Sequence, residues 1–510
     1  MPSERTLENS IKGEKMLNNF PPTLLCDFYK ISHRAQYPEG TETVYSTWIA
    51  RSSRIKGVDR VVAFGFQGFI QRYLVEYFQR EFFDRDLSEV VSEYKRVIRN
   101  SLGVPDPDAS HLEALWHLGY LPIEIKAIPE GMLVPLRVPM VTIVNTNPKF
   151  FWLTNYLETL FSTESWMPST SATMALAYRR LFERYAKVTG ATRESVMFQG
   201  HDFSMRGMSS VESAAGSGAG HLLSFTGTDT IPAIIYLERY YGANSDNELV
   251  GASIPATEHS VMCAYGNENG AEFNSFKRII SEVYPNGFVS VVSDTWDLWQ
   301  VIGEYLPRLR EQILSRDGRL VIRPDSGDPV LIMAGDENES GLAQKGVVEA
   351  LWDIFGGTIN EQGYRVLDPH IGAIYGDSIT LERAEAILSR LAQKGFASSN
   401  VVFGIGSFTY QFTTRDTFSF ALKSTSVTIN GVEKMIYKDP VTDKDHTKRS
   451  LRGRVVVVKD SEQLRVIDSL TEDAAREYDD QLRVVFRNGK VYNFDKLSTI
   501  RERISHQVGA

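Results

Sequence analysis

The stretch Leu320–Asp328 reads Leu-Val-Ile-Arg-Pro-Asp-Ser-Gly-Asp and gathers charged side chains directly behind a short apolar run. Arg323 offers a planar fork of donors suited to phosphate, while Asp325 and Asp328 can grip sugar hydroxyls or a bound Mg²⁺. Such a cluster suits a site for an anionic, hydroxyl-rich ligand. A tight turn with Asp325 capping the next segment explains the same residues. Similar clusters recur after other apolar runs: Arg206 in Gly200–Gly207, Asp229 in Thr226–Thr230, His259 in Thr257–Ser260, Asp294 in Ser293–Thr295, Asp377 in Gly376–Ser378, and the Gly404-Ile405-Gly406-Ser407 turn.

Each has a plain structural reading beside the chemical one. Asp229 and Asp294 precede helical segments and could act as N-caps. Asp377 could satisfy turn backbone, and His259 could be a packed, hydrogen-bonded histidine. The Gly-x-Gly-Ser turn could cradle a phosphate through close backbone N–H groups, or could simply turn the chain. The Gly216–Gly220 run lacks the dinucleotide-binding spacing, and no Walker-A, Gly-x-Ser-x-Gly or His-Glu-x-x-His sequence occurs. Together, four carboxylates, several arginines and a phosphate-type turn fit phosphosugar chemistry better than peptide or ester cleavage.

The elements that must hold these residues follow a repeated design. Val196–Phe198, Leu222–Phe225, Ala252–Ala256, Phe288–Val292, Leu320–Arg323, Ile371–Tyr375 and Val401–Phe403 read as strands, each followed by a polar loop. Helical patterns over 231–241, 296–314, 341–355 and 381–391 lie between them. The expectation is an α/β protein with an irregular (β/α) barrel over residues 169–409, its loops converging on one face. A doubly wound open sheet is the alternative. Residues 1–168 read as a mixed α/β segment and 410–510 as a β-rich one, the two packing into one further domain. A helix is expected over Ser169–Lys187, with polar capping candidates at its start.

Composition narrows the function classes. The 510 residues carry a net charge of −9, which gives no footprint for nucleic acid or an anionic membrane. Phosphate groups must therefore be attracted locally. Cys26 and Cys263 alone make a disulfide framework unexpected and a reducing compartment the default. Without a signal-like start or an apolar run near the roughly 20 residues of a membrane span, the expectation is a cytoplasmic protein.

Longer motifs then add a resemblance. Asp27-x-Tyr29-Lys30-x-x-His33, His201-Asp202-Phe203-x-x-Arg206-Gly207, Gly227-Thr228-Asp229-Thr230 and Glu258-His259-Ser260 occur in that order. Ser290-Val291-Val292-Ser293-Asp294, Ile322–Gly327, Gly376-Asp377, Thr414-Arg415-Asp416 and Lys438-Asp439-Pro440 follow. In type and order, from about residue 22 to 500, this set resembles the nicotinamide phosphoribosyltransferases. The resemblance implies a homodimer with active sites at the interface. It implies that nicotinamide and 5-phosphoribosyl pyrophosphate give nicotinamide mononucleotide and pyrophosphate, with Mg²⁺. It also implies ATP hydrolysis through a phosphohistidine at His259, beside Glu258. By position, Phe203 and the partner subunit's Tyr29 would sandwich the pyridine ring, with Arg206, Ser290 and Asp229 around it. Asp294, Arg323 and Asp325 would hold ribose and phosphate, and Gly376, Asp377, Gly406 and Arg415 would line the 5′-phosphate side. Arg51, Lys423, Lys438 and Lys448 would meet pyrophosphate or nucleotide phosphates. Nicotinate phosphoribosyltransferase is the nearest alternative, a barrel glycosidase a second, and a non-catalytic binding protein a third.

Overall fold

The computed structural model describes residues 20–268, 270–442, 450–461 and 463–509. Two sheets organise them. The first is antiparallel throughout, in the order Val432–Met435, Phe420–Ile429, Thr41–Ala50, Pro139–Asn145, Ile123–Ala127, Arg483–Arg487, Lys490–Val491. Segments from the two halves of the sequence thus interleave in one sheet, as the reading of a shared α/β domain requires. β-Branched and aromatic residues suit its half-buried pleat. Trp48, fully buried, lies flat on Phe420 of the neighbouring strand, with ring centroids 5.4 Å apart.

The second sheet is parallel, in the order Gly227–Thr228, Gly200–Asp202, Val401–Ile405, Ile371–Tyr375, Leu320–Arg323, Val289–Val292. Its two edges meet through the segment Ala252–Ala256. Thr228 N–H donates to Ala252 O at 2.9 Å, and Ser290 N–H donates to Pro255 O at 2.9 Å. The result is an irregular (β/α) barrel with seven staves, as the repeated design predicted. An open doubly wound sheet is excluded by that closure.

Two staves sit elsewhere than expected. Val196 belongs to the helix Arg193–Met197, and Leu222–Phe225 forms the turn after the helix Val211–His221. Val196, Leu222 and Phe225 are fully buried, so their apolar run reported burial in the core rather than extended backbone. The staves are the next residues along, Gly200–Asp202 and Gly227–Thr228. His201 therefore projects from a strand instead of a loop.

One helix, Glu158–Thr189, is fastened to both sheets. Phe161 meets Trp48 edge-on at 5.2 Å, and Phe182 stacks on Phe403 of the barrel at 5.1 Å. It starts well before Ser169, and the expected division at 168/169 falls inside it. The hydroxyls that resembled a cap point inward: Ser169 donates to Val62 O at 2.5 Å, Thr173 donates to Ser169 O at 2.7 Å, and Ser171 meets Ser217 at 2.8 Å. Bonds of this kind let polar residues sit in a buried helix. Among the described residues, no helix is long and apolar enough to cross a membrane.

Glu130 ties the pieces together. Buried, it accepts from Gln67 N at 2.7 Å, Gly65 N at 3.1 Å and the Tyr241 hydroxyl at 2.9 Å, while its own N–H donates to Asp495. Burial raises its carboxyl from an ordinary 4.5 to about 7; the three donors oppose this and Asp495 adds to it. Between those values the folded chain keeps a proton that the unfolded chain has lost, so this group's contribution to stability falls as pH rises through the window. Glu130→Gln should flatten the decline in unfolding free energy between about pH 5 and 7, read by urea titration at each pH. An unchanged slope would contradict the assignment.

Candidate active site

Because every stave points the same way, the strand C-termini open on one rim. Asp229 follows its stave and is held from both sides. His201 Nε2 lies 2.8 Å from its Oδ1, and the Ser253 hydroxyl donates to the same oxygen at 2.6 Å. Burial pushes this carboxyl up, but the His201 and Ser253 bonds and the charges of His201 and Arg323 hold it below the ordinary value. Asp294 has both oxygens engaged. His259 Nε2 is 3.2 Å from Oδ1, while Asp325 N–H and the Ser326 hydroxyl donate to Oδ2 at 2.7 and 2.6 Å. Neither aspartate is an N-cap: Thr230 precedes the helix Ile231–Tyr241, and Asp297 caps the helix beginning at Leu298. His259 is not packed away either, since its side chain is 47 % exposed.

The acids converge. Burial, then the charges of Asp377, Asp325, Asp294 and Asp328, push the Tyr375 phenol up. Of these, Asp328 has a local duty, capping the helix Pro329–Ala334 through Val330 N and Leu331 N. The cap is thus Asp328, and Asp325 is left to face the rim. Among the described residues no protein donor reaches the Asp325 or Asp377 carboxylate, and no three acidic, histidine or cysteine side chains form a metal cage. Mg²⁺ ordinarily keeps several waters and takes one or two carboxylates plus substrate phosphates, so a pair of untied acids fits that ion.

An aromatic wall stands beside the acids. Phe203 N–H donates to Ile405 O at 3.0 Å, and its ring lies 4.8 Å from that of His201. A β-carbon on Gly404 would collide with the Phe203 ring, and one on Gly376 would come within 3.2 Å of it. Among the described residues, two buried polar atoms of the barrel, the Ser290 hydroxyl and Arg323 Nε, have no hydrogen-bond partner and are available to a ligand or water. Arg206 is exposed on the Met205–Gly207 turn, and Glu258 accepts from the Ser260 hydroxyl. Gly406 precedes the short helix Ser407–Tyr410.

The remaining residues form a second group at and beside the antiparallel sheet: Lys423 is in its strand Phe420–Ile429, Tyr29 is on the helix Phe28–Gln36 and Arg415 on the short helix Arg415–Thr417. Lys423 pairs with Thr47 in the ladder. Loss of hydration lowers its pKa, Glu158 opposes this, and Arg51, Lys30 and Lys438 reinforce it. Arg51 donates to Ser419 O at 3.0 Å. Tyr29, 56 % exposed, lies near Arg415, which pairs with Asp416 at 3.1 Å. Among the described residues, no hydrogen bond or ion pair joins these side chains to the rim acids. Lys448 lies outside the described residues.

The profile of the Nicotinate phosphoribosyltransferase (NAPRTase) family matches residues 198–490, and that of the Nicotinamide phosphoribosyltransferase N-terminal domain matches 23–98. A nicotinamide phosphoribosyltransferase of Acinetobacter baylyi is 50 % identical over 500 residues, covering 96 % of this chain and 97 % of that protein. One from Mycoplasma pneumoniae is 37 % identical, covering 84 % and 94 %. The chain belongs to the nicotinamide phosphoribosyltransferase family. Its fold is shared with a Pyrococcus furiosus nicotinate-nucleotide pyrophosphorylase, with TM-score 0.54, 14 % identity and 98 % of each chain covered. Human nicotinic acid phosphoribosyltransferase gives TM-score 0.52 at 15 % identity, covering 95 % and 93 %. Family membership sets aside the glycosidase and the non-catalytic readings.

Four residues on this family member's rim escaped the sequence reading as site residues: His201, Ser253, Ser326 and Gly404. His201 meets the ring of Phe203, two positions on and just past the strand, a contact that period-two spacing suggests. Nothing in the local sequence sets Ser253 apart, and Gly404 stood out only as part of a phosphate-type turn, because what each touches lies far away in the chain. Gly404→Ala would crowd both the Phe203 ring and the Gly376 backbone, so it should lower Tm as well as cut kcat/KM at least about tenfold. Turnover equal to wild type would show that the ring position does not matter.

Proposed function

We propose that the chain transfers the phosphoribosyl group of 5-phosphoribosyl pyrophosphate to nicotinamide, releasing pyrophosphate and nicotinamide mononucleotide for NAD salvage. The observation that carries this reading is Asp229. One oxygen is saturated by His201 and Ser253, and the other is left as an acceptor beside the Phe203 wall. A carboxamide N–H₂ completes that acceptor, whereas a carboxylate would meet like charge. The unpartnered Ser290 hydroxyl would donate to the carboxamide oxygen. Phe203 would stack on the ring.

The ring nitrogen needs placing more than deprotonating, so no general base is demanded. As pyrophosphate departs, positive charge develops on the ribose, and Asp325 would stabilise it. Asp294, with both oxygens engaged, would hold His259 and the Asp325 loop in place instead of gripping substrate. Mg²⁺, when bound, would neutralise the departing pyrophosphate, with Asp325 and Asp377 as its protein ligands.

The rim is acidic, yet its substrate carries several negative charges. The cations to meet it are at and beside the antiparallel sheet, where Arg51 and Lys438 lie close to Lys423, and Arg415 lies close to Tyr29. That separation supports a homodimer in which one copy's sheet, including the partner subunit's Tyr29, closes the other's rim. Both described cysteines are free, which supports a cytoplasmic setting.

ATP would enter through His259. Its Nε2 faces Asp294, so Nδ1 is the nitrogen open to the γ-phosphoryl group. ADP would leave, and water would later release inorganic phosphate from the histidine. Incubation with labelled ATP should give an acid-labile phosphate on His259. His259→Ala should abolish both the label and the ATP stimulation while synthesis without ATP stays measurable; equal labelling of the variant would refute the role.

The function itself is tested by mixing enzyme, Mg²⁺ and 5-phosphoribosyl pyrophosphate with either pyridine and identifying the mononucleotide. Wild type should prefer nicotinamide, and faster turnover of nicotinate would overturn the reading. Asp229→Asn should reduce the preference by roughly ten- to a hundredfold, the range set by a hydrogen bond to a charged group.

A further inference from the structure

Asp229 is clamped symmetrically. Its stave, Gly227–Thr228, lies between Gly200–Asp202 on one side and the closing segment at Ala252 on the other. His201 comes from the first neighbour and Ser253 from the second, and both bind Oδ1, at 2.8 and 2.6 Å. The His201 ring fits because Gly227 has no side chain: a β-carbon there would come within 2.7 Å of His201 Nδ1. Among the described residues no donor reaches Oδ2. The arrangement fixes the carboxylate plane and leaves one acceptor facing the rim.

We propose that His201 and Ser253 are positioning residues that set pyridine specificity by saturating one oxygen of Asp229 and presenting the other as a fixed anionic acceptor. This rests on the nicotinamide reading and deepens it. A hydrogen bond to an anion is directional, so a carboxylate free to swing about its χ angles would lose orientation towards the carboxamide. Charge matters as well. Burial alone would favour the protonated acid, and a protonated Asp229 has an O–H to offer a substrate carboxylate. The groups facing Asp229 that oppose protonation are His201 and, more distantly, Arg323; Ser253 acts through its neutral hydroxyl. Removing a clamp donor therefore admits nicotinate twice over, by loosening the acceptor and by letting it become a donor.

Ser253→Ala, His201→Ala and His201→Gln separate this role from simple support, with nicotinamide and nicotinate kinetics measured for each from about pH 5.5 to 8.5. Ser253 is exposed, so its alanine variant should keep the wild-type Tm. The expected result is a fall of about tenfold in the ratio of kcat/KM for nicotinamide over nicotinate, carried mostly by KM for nicotinamide. The acid limb of the nicotinamide profile should move to higher pH in Ser253→Ala. His201→Ala should lose more selectivity, and His201→Gln, which keeps an N–H donor, should recover most of it. An equal loss with both pyridines, an unmoved acid limb and no rescue by glutamine would overturn the proposal while leaving the nicotinamide reading intact. Wild-type preference for nicotinate would instead overturn that reading itself.

Discussion

Carboxylates crowded onto one rim repel each other, and each must be met by a donor or turned to a ligand. That constraint shapes the barrel mouth. Asp294 spends both oxygens on His259, Asp325 N–H and Ser326, and so links two rim loops. Asp229 spends one oxygen on its neighbours, and Asp328 is absorbed by a helix end. Asp325 and Asp377 are left with their charge facing outward, next to the aromatic wall of Phe203. An acidic rim so arranged favours the positive charge of a pentose losing its leaving group, and repels the leaving group's own phosphates.

Cations at and beside the antiparallel sheet would answer that repulsion from another part of the chain. They sit close enough to disturb one another, an arrangement that is costly unless an anion joins them. On the proposed reading the two halves of the chemistry would be built on different scaffolds: an acidic, ring-binding half at the ends of the parallel strands and a basic half at and beside the antiparallel sheet. The helix Glu158–Thr189, touching Trp48 near one end and Phe403 towards the other, keeps the scaffolds in register within one copy.

Much of this was legible in the sequence. The alternation of apolar runs and polar loops gave the barrel because a parallel stave, buried on both faces, has to be apolar and has to end where its loop begins. Asp294, Arg323 and Asp325 stood out because they cluster directly after such runs, although Asp294 is tied to His259, Asp325 N–H and Ser326. What failed to show follows from the same physics. Val196 and Phe225 are as apolar as any stave yet pack beneath the barrel, and composition cannot separate those fates. The buried Ser169 and Thr173 have the types of cap residues, and only their distant acceptors reveal otherwise. Ser253 and Gly404 owe their places to Asp229 and Phe203, which lie far away along the chain.

The interleaved sheet has a temporal consequence. Thr41–Ala50 emerges from the ribosome early, but its partner Phe420–Ile429 appears only after the entire barrel has been synthesised. At typical elongation rates that interval is on the order of tens of seconds. During it the barrel staves can find one another, while Trp48 still lacks Phe420 and its strand offers an unpaired edge to the cell. Until Phe420–Ile429 is made, that edge of the first sheet can be closed by nothing in the chain's native pairing.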